Sequence, residues 1–183
     1  MMKNIYIQIL VFLTLSVVIS QSVKAQEFSN LDKSPHDIAY YRVNKITPPT
    51  IKVLYGRPQK DGREIFGSLI PYGEVWRVGA NESTEIRFYQ DIIFGGERVN
   101  AGTYALYAIP GETEWTVILS SNIDMWGSKG YKDNMDVARA KAKVSKAEFV
   151  EAFSIGFKDK GRHVNMILAW DTTRITVPIK FEK

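Results

Sequence analysis

The run VNMILAWDTTRITVPIKF, residues 164–181, decides the fold class. Val164, Met166, Leu168 and Trp170 alternate with Asn165, Ile167 and Ala169, and Ile175, Val177, Ile179 and Phe181 alternate with Arg174, Thr176, Pro178 and Lys180. A period of two puts every other side chain on one face of an extended chain, so each half reads as a half-buried strand. The residues between them, DTTR at 171–174, read as the turn of a terminal hairpin. Pro178 cannot donate to a ladder, which places the last strand at a sheet edge or a bulge.

Working outward, the same period predicts strands over residues 38–43, 51–55, 85–94, 103–109, 115–120 and 149–157. Gly95-Gly96, Ala101-Gly102 and Pro110-Gly111 mark turns between them. The segment DVARAKAKV, residues 136–144, has the composition of a helix. Yet Ala138, Ala140, Ala142 and Val144 alternate with Arg139, Lys141 and Lys143, and this is read as a strand. Its basic row suits a solvated edge strand guarded against self-pairing, with recruitment of an anionic glycan or lipid as the alternative. So many short strands predict an all-β chain, a single-domain antiparallel β-sandwich of Greek-key or jelly-roll type over residues 36–183; a partly open β-barrel is the alternative.

The N-terminal region reads differently. A short positive start at Lys3 precedes the apolar run IYIQILVFLTLSVVIS, residues 5–20, and Val23-Lys24-Ala25 before Gln26 suits a cleavage point. The run falls short of the roughly 20 apolar residues that span a bilayer, so residues 1–25 read as a signal peptide and 26–35 as a flexible mature N-terminus. The chain has no cysteine, hence no disulfide and no thiolate chemistry. An exported domain without disulfides fits the periplasm or exterior of a Gram-negative bacterium. No membrane span is expected after signal removal. The net charge of +4 includes Lys3 and Lys24, leaving +2 for residues 26–183. That is too weak a charge to argue for nucleic acid.

Between the strands lies YGRPQKDGREIFGSLIPYGEVWRVGANEST, residues 55–84. Arg57, Arg63 and Arg77 stand there among Glu64, Glu82, Asn81, Tyr72 and Trp76, with little periodicity. Converging guanidinium forks would hold a carboxylate, sulfate or phosphate, with Trp76 or Tyr72 as a flat apolar face. The competing reading is an internal network in which Arg63 or Arg77 pairs with Glu64 or Glu82 and Asn81 satisfies loop backbone groups. The glycines follow neither a GxGxxG nor a GxxxxGK[ST] pattern, so no phosphate loop is read. For catalysis, Glu64 and Glu82, with Asp61 in reserve, would serve glycoside cleavage if they faced each other. His36 and His163 are the only histidines, and no nucleophile elbow accompanies them. No metal or cofactor is predicted; Asp124, Asp133 and Asp136 make a weak case for calcium. The loop SNIDMWGSKGYKDNMD, residues 121–136, is a second place to look. Trp126 and Tyr131 would stack on a sugar if exposed, and would cap the sandwich if buried; capping is the favoured reading.

Taken together, Tyr55-Gly56-Arg57-Pro58, Gly62-Arg63, Pro71-Tyr72-Gly73, Val75-Trp76-Arg77, Gly79-Ala80-Asn81-Glu82, Ala101-Gly102-Thr103-Tyr104 and Trp115-Thr116-Val117-Ile118 resemble the DUF2911 family. The resemblance runs from Ser34-Pro35 to Leu168-Ala169-Trp170-Asp171 and implies an exported β domain of Bacteroidota-type bacteria. It implies no reaction and no catalytic residue. The residues themselves point to a non-catalytic binding or envelope-associated domain for an anionic small molecule or glycan, with Arg57, Arg63, Trp76, Arg77, Asn81 and Glu82 as the site. A polysaccharide hydrolase using Glu64 and Glu82 and a structural part of an envelope assembly are the alternatives.

Overall fold

A computed structural model describes residues 28–182. The leader read over residues 1–25 lies outside them. Asp32–Lys183 forms one compact unit whose elements are, in order, β1 (His36–Tyr41), β2 (Ile51–Gly56), β3 (Thr84–Phe88), β4 (Ile92–Phe94), β5 (Glu97–Val99), β6 (Gly102–Ile109), β7 (Glu114–Ser120), a 3-10 turn (Asp133–Met135), β8 (Asp136–Lys143), β9 (Ser145–Asp159) and β10 (Val164–Phe181). Two antiparallel sheets carry them, one of six strands ordered β1-β2-β3-β6-β7-β8 and one of four ordered β5-β4-β10-β9. The fold is an all-β sandwich, not a closed barrel. Among the described residues no helix is long and apolar enough to cross a membrane.

Alternation builds the core. Ile51, Val53 and Tyr55 of β2, Ile86 and Phe88 of β3, and Trp115, Val117 and Leu119 of β7 point inward. Val164, Met166, Leu168, Trp170, Ile175, Val177 and Ile179 of β10 meet them from the other sheet. Residues 136–143 are a strand, with Ala138, Ala140 and Ala142 buried and Arg139, Lys141 and Lys143 exposed. This strand lies at the edge of the larger sheet, where a row of cations discourages pairing with another chain.

Two expectations are corrected. Residues 164–181 form one strand, not a hairpin. The buried positions change from even numbers through Trp170 to odd numbers from Ile175, and such a phase change requires either a turn or a bulge. The chain uses bulges: the β9–β10 register shifts on both sides of Asp171, and Asp171 takes a φ of +54°. Arg174 stitches the irregularity by donating to the carbonyls of Asp171 and Thr173. Pro178 falls between Arg174, where pairing with β9 ends, and Ile179, where pairing with β4 begins, so its missing N–H leaves no ladder bond unmade.

Residues 85–94 are likewise not one strand but β3 and β4, which belong to different sheets. The crossing is made by polar residues rather than Gly or Pro: Asp91 accepts from the Ala101 amide at 2.8 Å and from Arg98 at 3.0 Å. The short strand β5, unread in the sequence, follows the Gly95-Gly96 turn, whose φ values are +62° and +101°.

That turn presses on the edge strand. A Cβ on Gly95 would stand 1.9 Å from the carbonyl oxygen of Arg139, a backbone atom that cannot swing away. Gly95→Ala is expected to lower unfolding free energy by about 1–3 kcal/mol, read by denaturant titration at unchanged m-value. A loss under about 0.5 kcal/mol, the range of inert surface changes, would mean that the turn and β8 are not held together.

Candidate functional site

The long connection from β2 to β3 is fixed by its rings and its backbone. Trp76 and Ala108 of β6 exchange backbone hydrogen bonds at 2.7 and 2.9 Å, and the Gly73 amide donates to Pro110 at 2.8 Å. The Trp76 ring is 6% exposed and lies 5.9 Å from Phe66 and Trp115, 5.0 Å from Phe153 and 6.2 Å from Trp170. Trp115 belongs to one sheet and Phe153 and Trp170 to the other, so the connection inserts its rings between them. Trp76 is thus a core anchor that also walls a cavity, not the open flat face expected; of the two rings, Tyr72 is the exposed one.

Beyond Trp76 the backbone is forced. Gly56 allows Ala80 to close against the end of β2: a Cβ there would sit 2.1 Å from the Ala80 carbonyl oxygen. Val78 has a φ of +54° and Asn81 of +63°. For a β-branched residue this region is a genuine outlier. Thr84, fully buried, holds it by donating its hydroxyl to the Val78 carbonyl at 2.6 Å. Arg77 sits immediately before this strained residue.

The result is a cavity of about 320 Å³ lined by Arg63, Arg77, Asn81 and Ser34, with Trp76 and Trp170 among its walls. Its two arginines are in different states. Arg63 donates through Nε to the Lys60 carbonyl at 2.9 Å and also bonds the Gln59 carbonyl, which fixes the loop on which it stands. Arg77 is half-buried, and among the described residues no acceptor meets its Nε and no carboxylate pairs with it. Burial pulls its guanidinium below the ordinary value, as expected for a cation moved out of water without a partner. Asn81 donates through Nδ2 to Asp32 at 3.0 Å.

The other expected site residues lie elsewhere. Arg57 donates to Asp37 at 2.7 Å and to Ser154 at 2.9 Å, tying β1 and β9 to the end of β2. Glu82 lies 3.2 Å from His36 Nε2 and lines a separate cavity of about 300 Å³ with Glu85 and Asp124. Glu64 is exposed and lines neither cavity. The two glutamates therefore do not face each other across either cavity, and neither pairs with Arg63 or Arg77. Trp170, which walls the cavity, was not singled out in the sequence, where it reads as one more inward position of a strand.

Residues 121–136 fold over the arginine segment. The Ser83 amide donates to Met125 at 2.8 Å, Glu82 bridges to Trp126, and a Cβ on Gly127 would stand 3.9 Å from the Asn81 carbonyl oxygen and 4.0 Å from the Arg77 side chain. Ser128 and Arg77 share a smaller cavity of about 170 Å³. The two aromatics of this loop part ways. Tyr131 caps, with its ring 5.2 Å from Tyr107 and its hydroxyl donating to Asp136 at 2.8 Å. Trp126 does not cap: it is 64% exposed, with Lys129 Nζ 5.8 Å from its ring centroid. Asp136 is engaged by Tyr131 and Arg139, and among the described residues no three His, Cys, Asp or Glu side chains gather as a metal-binding group.

Fold and site together define an antiparallel β-sandwich with a guanidinium-lined cavity under a long loop. Residues 34–179 match the family described as "Protein of unknown function (DUF2911)", and the chain belongs to that family. No curated protein matches it, and no solved structure does.

The cap carries a pH signature. Burial, then the hydrogen bond to Asp136, pushes the Tyr131 hydroxyl up to about 12, against about 10 in an unfolded chain. The folded state then holds this proton more tightly, so its contribution is complete below about pH 10 and is lost as pH rises towards 12. Between those values the thermal midpoint of the wild type should fall more steeply than that of Tyr131→Phe. Parallel curves would show that Tyr131 does not hold the loop.

Proposed function

We propose that this domain is a non-catalytic binding module whose ligand presents a carboxylate, sulfate or phosphate to Arg77, with Arg63 and Asn81 beside it. One observation carries this reading: a half-buried guanidinium lining a cavity with no acceptor for its Nε among the described residues. A buried polar group left without a partner costs about 1–3 kcal/mol, more when charged. A fold that holds Arg77 next to a strained Val78 and unpaired with any described carboxylate has kept that cost where a ligand anion would remove it. The planar fork suits a bidentate anion, and the overlying loop thins the water around it, which strengthens the attraction. Binding is favoured over catalysis because a guanidinium keeps its proton at neutral pH and holds charge rather than shuttling it.

Thermal unfolding with D-glucuronate, sulfate and phosphate as probes tests the site. A probe at a hundred times its Kd should stabilise the wild type by about 2.7 kcal/mol. Arg77→Met should abolish that gain while leaving the free protein as stable as the wild type or about 1 kcal/mol more so, because an unpaired cation is replaced by an apolar chain of similar length. If Arg77→Met unfolds the protein, the arginine is a structural tie and the proposal falls.

We further propose export. The leader read over residues 1–25 and the absence of cysteine support it. Expressed in a Gram-negative host, the chain should appear in the periplasmic fraction or the medium with Gln26 as its first residue. An uncleaved chain in the cytoplasm would overturn export without touching the binding site.

A further inference from the structure

The central cavity does not stand alone. It shares Ser34 and Arg63 with an open cavity of about 530 Å³ that adds Gln59, Asp61 and Glu151. On its other flank it shares Trp76 and Arg77 with the cavity of about 170 Å³ that adds Glu74. Arg63 and Arg77 therefore each border two neighbouring cavities, which a ligand reaching past either guanidinium would join into one groove. The central part, at about 320 Å³, is at the small end of the roughly 300–1,000 Å³ typical of ligand sites, so anything larger than one ring must extend along the open flank past Arg63.

The order of charge along this groove is selective. Two arginines occupy the middle, Asp61 and Glu151 with Lys33 one flank, and Glu74 the other. A polyanion seated at the arginines would bring its next charge up against Glu74 on one side and against two carboxylates set off by a single lysine on the other, where like charges repel. A neutral, hydroxyl-rich neighbour would not be repelled. Ionised carboxylates are strong acceptors for hydroxyl donors, and among the described residues no cation pairs with Asp61 or Glu74. Trp170 and Trp76 are buried and lend the central part apolar ring edges rather than an open face.

Resting on the anion-binding reading above, we infer that the ligand is an oligosaccharide with a single acidic sugar, its carboxylate held at Arg77 and a neutral sugar lying past Arg63 against Gln59 and Asp61. Isothermal titration at fixed ionic strength tests this with four probes: D-glucuronate, a glucosyl–glucuronate disaccharide, polyglucuronate and a neutral tripeptide with a free C-terminus. The disaccharide should bind about tenfold more tightly than glucuronate, the gain of one or two charge-assisted hydrogen bonds. Polyglucuronate, per binding site, should bind more weakly than the disaccharide. The double variant Gln59→Ala/Asp61→Asn should erase the tenfold gap; both side chains are exposed, and asparagine accepts the +50° φ of Asp61 as readily as aspartate.

The two readings fail separately. If Arg77→Met leaves glucuronate binding unchanged, the anion site itself is wrong. If Arg77→Met abolishes binding but the disaccharide gains nothing over glucuronate, or the polymer or the tripeptide binds more tightly than the disaccharide, the anion site stands and the saccharide inference is overturned.

Discussion

Everything at the candidate site depends on where the Trp76 ring is buried. Its indole packs against aromatic partners from both sheets and donates through Nε1 to the Gly79 carbonyl at 3.2 Å, while its backbone is laddered to Ala108. Burying such a ring contributes about 1.5–3 kcal/mol, and each well-placed aromatic pair adds about 0.5–1.5 kcal/mol. A strained φ costs about 1–3 kcal/mol. The anchor therefore offsets the left-handed Val78 that follows, and it can hold Arg77 in a position that a free loop would abandon. A connection this long has few regular hydrogen bonds of its own, and the ring cluster replaces them.

The three arginines of this connection show how one residue type divides its work. Arg57 joins β1, β2 and β9 through Asp37 and Ser154, but with both charged side chains about 40% exposed its ion pair is worth at most about 1 kcal/mol. Arg63 spends its donors on backbone carbonyls of its own loop, and among the described residues no carboxylate pairs with it. Among the described residues, Arg77 alone of the three meets neither carbonyl nor carboxylate. Internal networking thus accounts for the first, loop stiffening for the second, and neither for the third.

How much of this could be read in the sequence follows from how local each determinant is. The alternation in residues 164–181 is local, and so is that of residues 136–143, where period outweighs helical composition once the alanines face a core. The phase change after Trp170 is also visible, but a hairpin turn and a bulge satisfy it equally. What decides between them is pairing with Ser145, Lys146 and Val150 on β9, which no window around residue 171 contains. The break between Phe88 and Ile92 is hidden for a similar reason, since Asp91 turns the chain through Arg98 and Ala101 rather than through glycine or proline. The cluster of arginines, Asn81 and Trp76 points to the segment that lines the candidate cavity. Its partition was illegible because the partners Asp37 and Ser154 of Arg57 and the wall residue Trp170 lie far away in the chain.

The choice of arginine at position 77 follows from the same geometry. Lysine would carry its charge on a flexible stem, be more strongly hydrated, and lose its proton more readily when buried. It would then meet the cost of burial by becoming neutral, and the cavity would lose its charge. A guanidinium stays charged even when burial lowers its proton affinity, and its rigid fork would forfeit less side-chain entropy on binding the proposed anion. A partly desolvated, unpaired cation is stable only where the surrounding structure over-determines it. Here Val78, Gly56, Thr84 and the overlying Gly127 supply that constraint, which is the preorganisation that the proposed anion site would require.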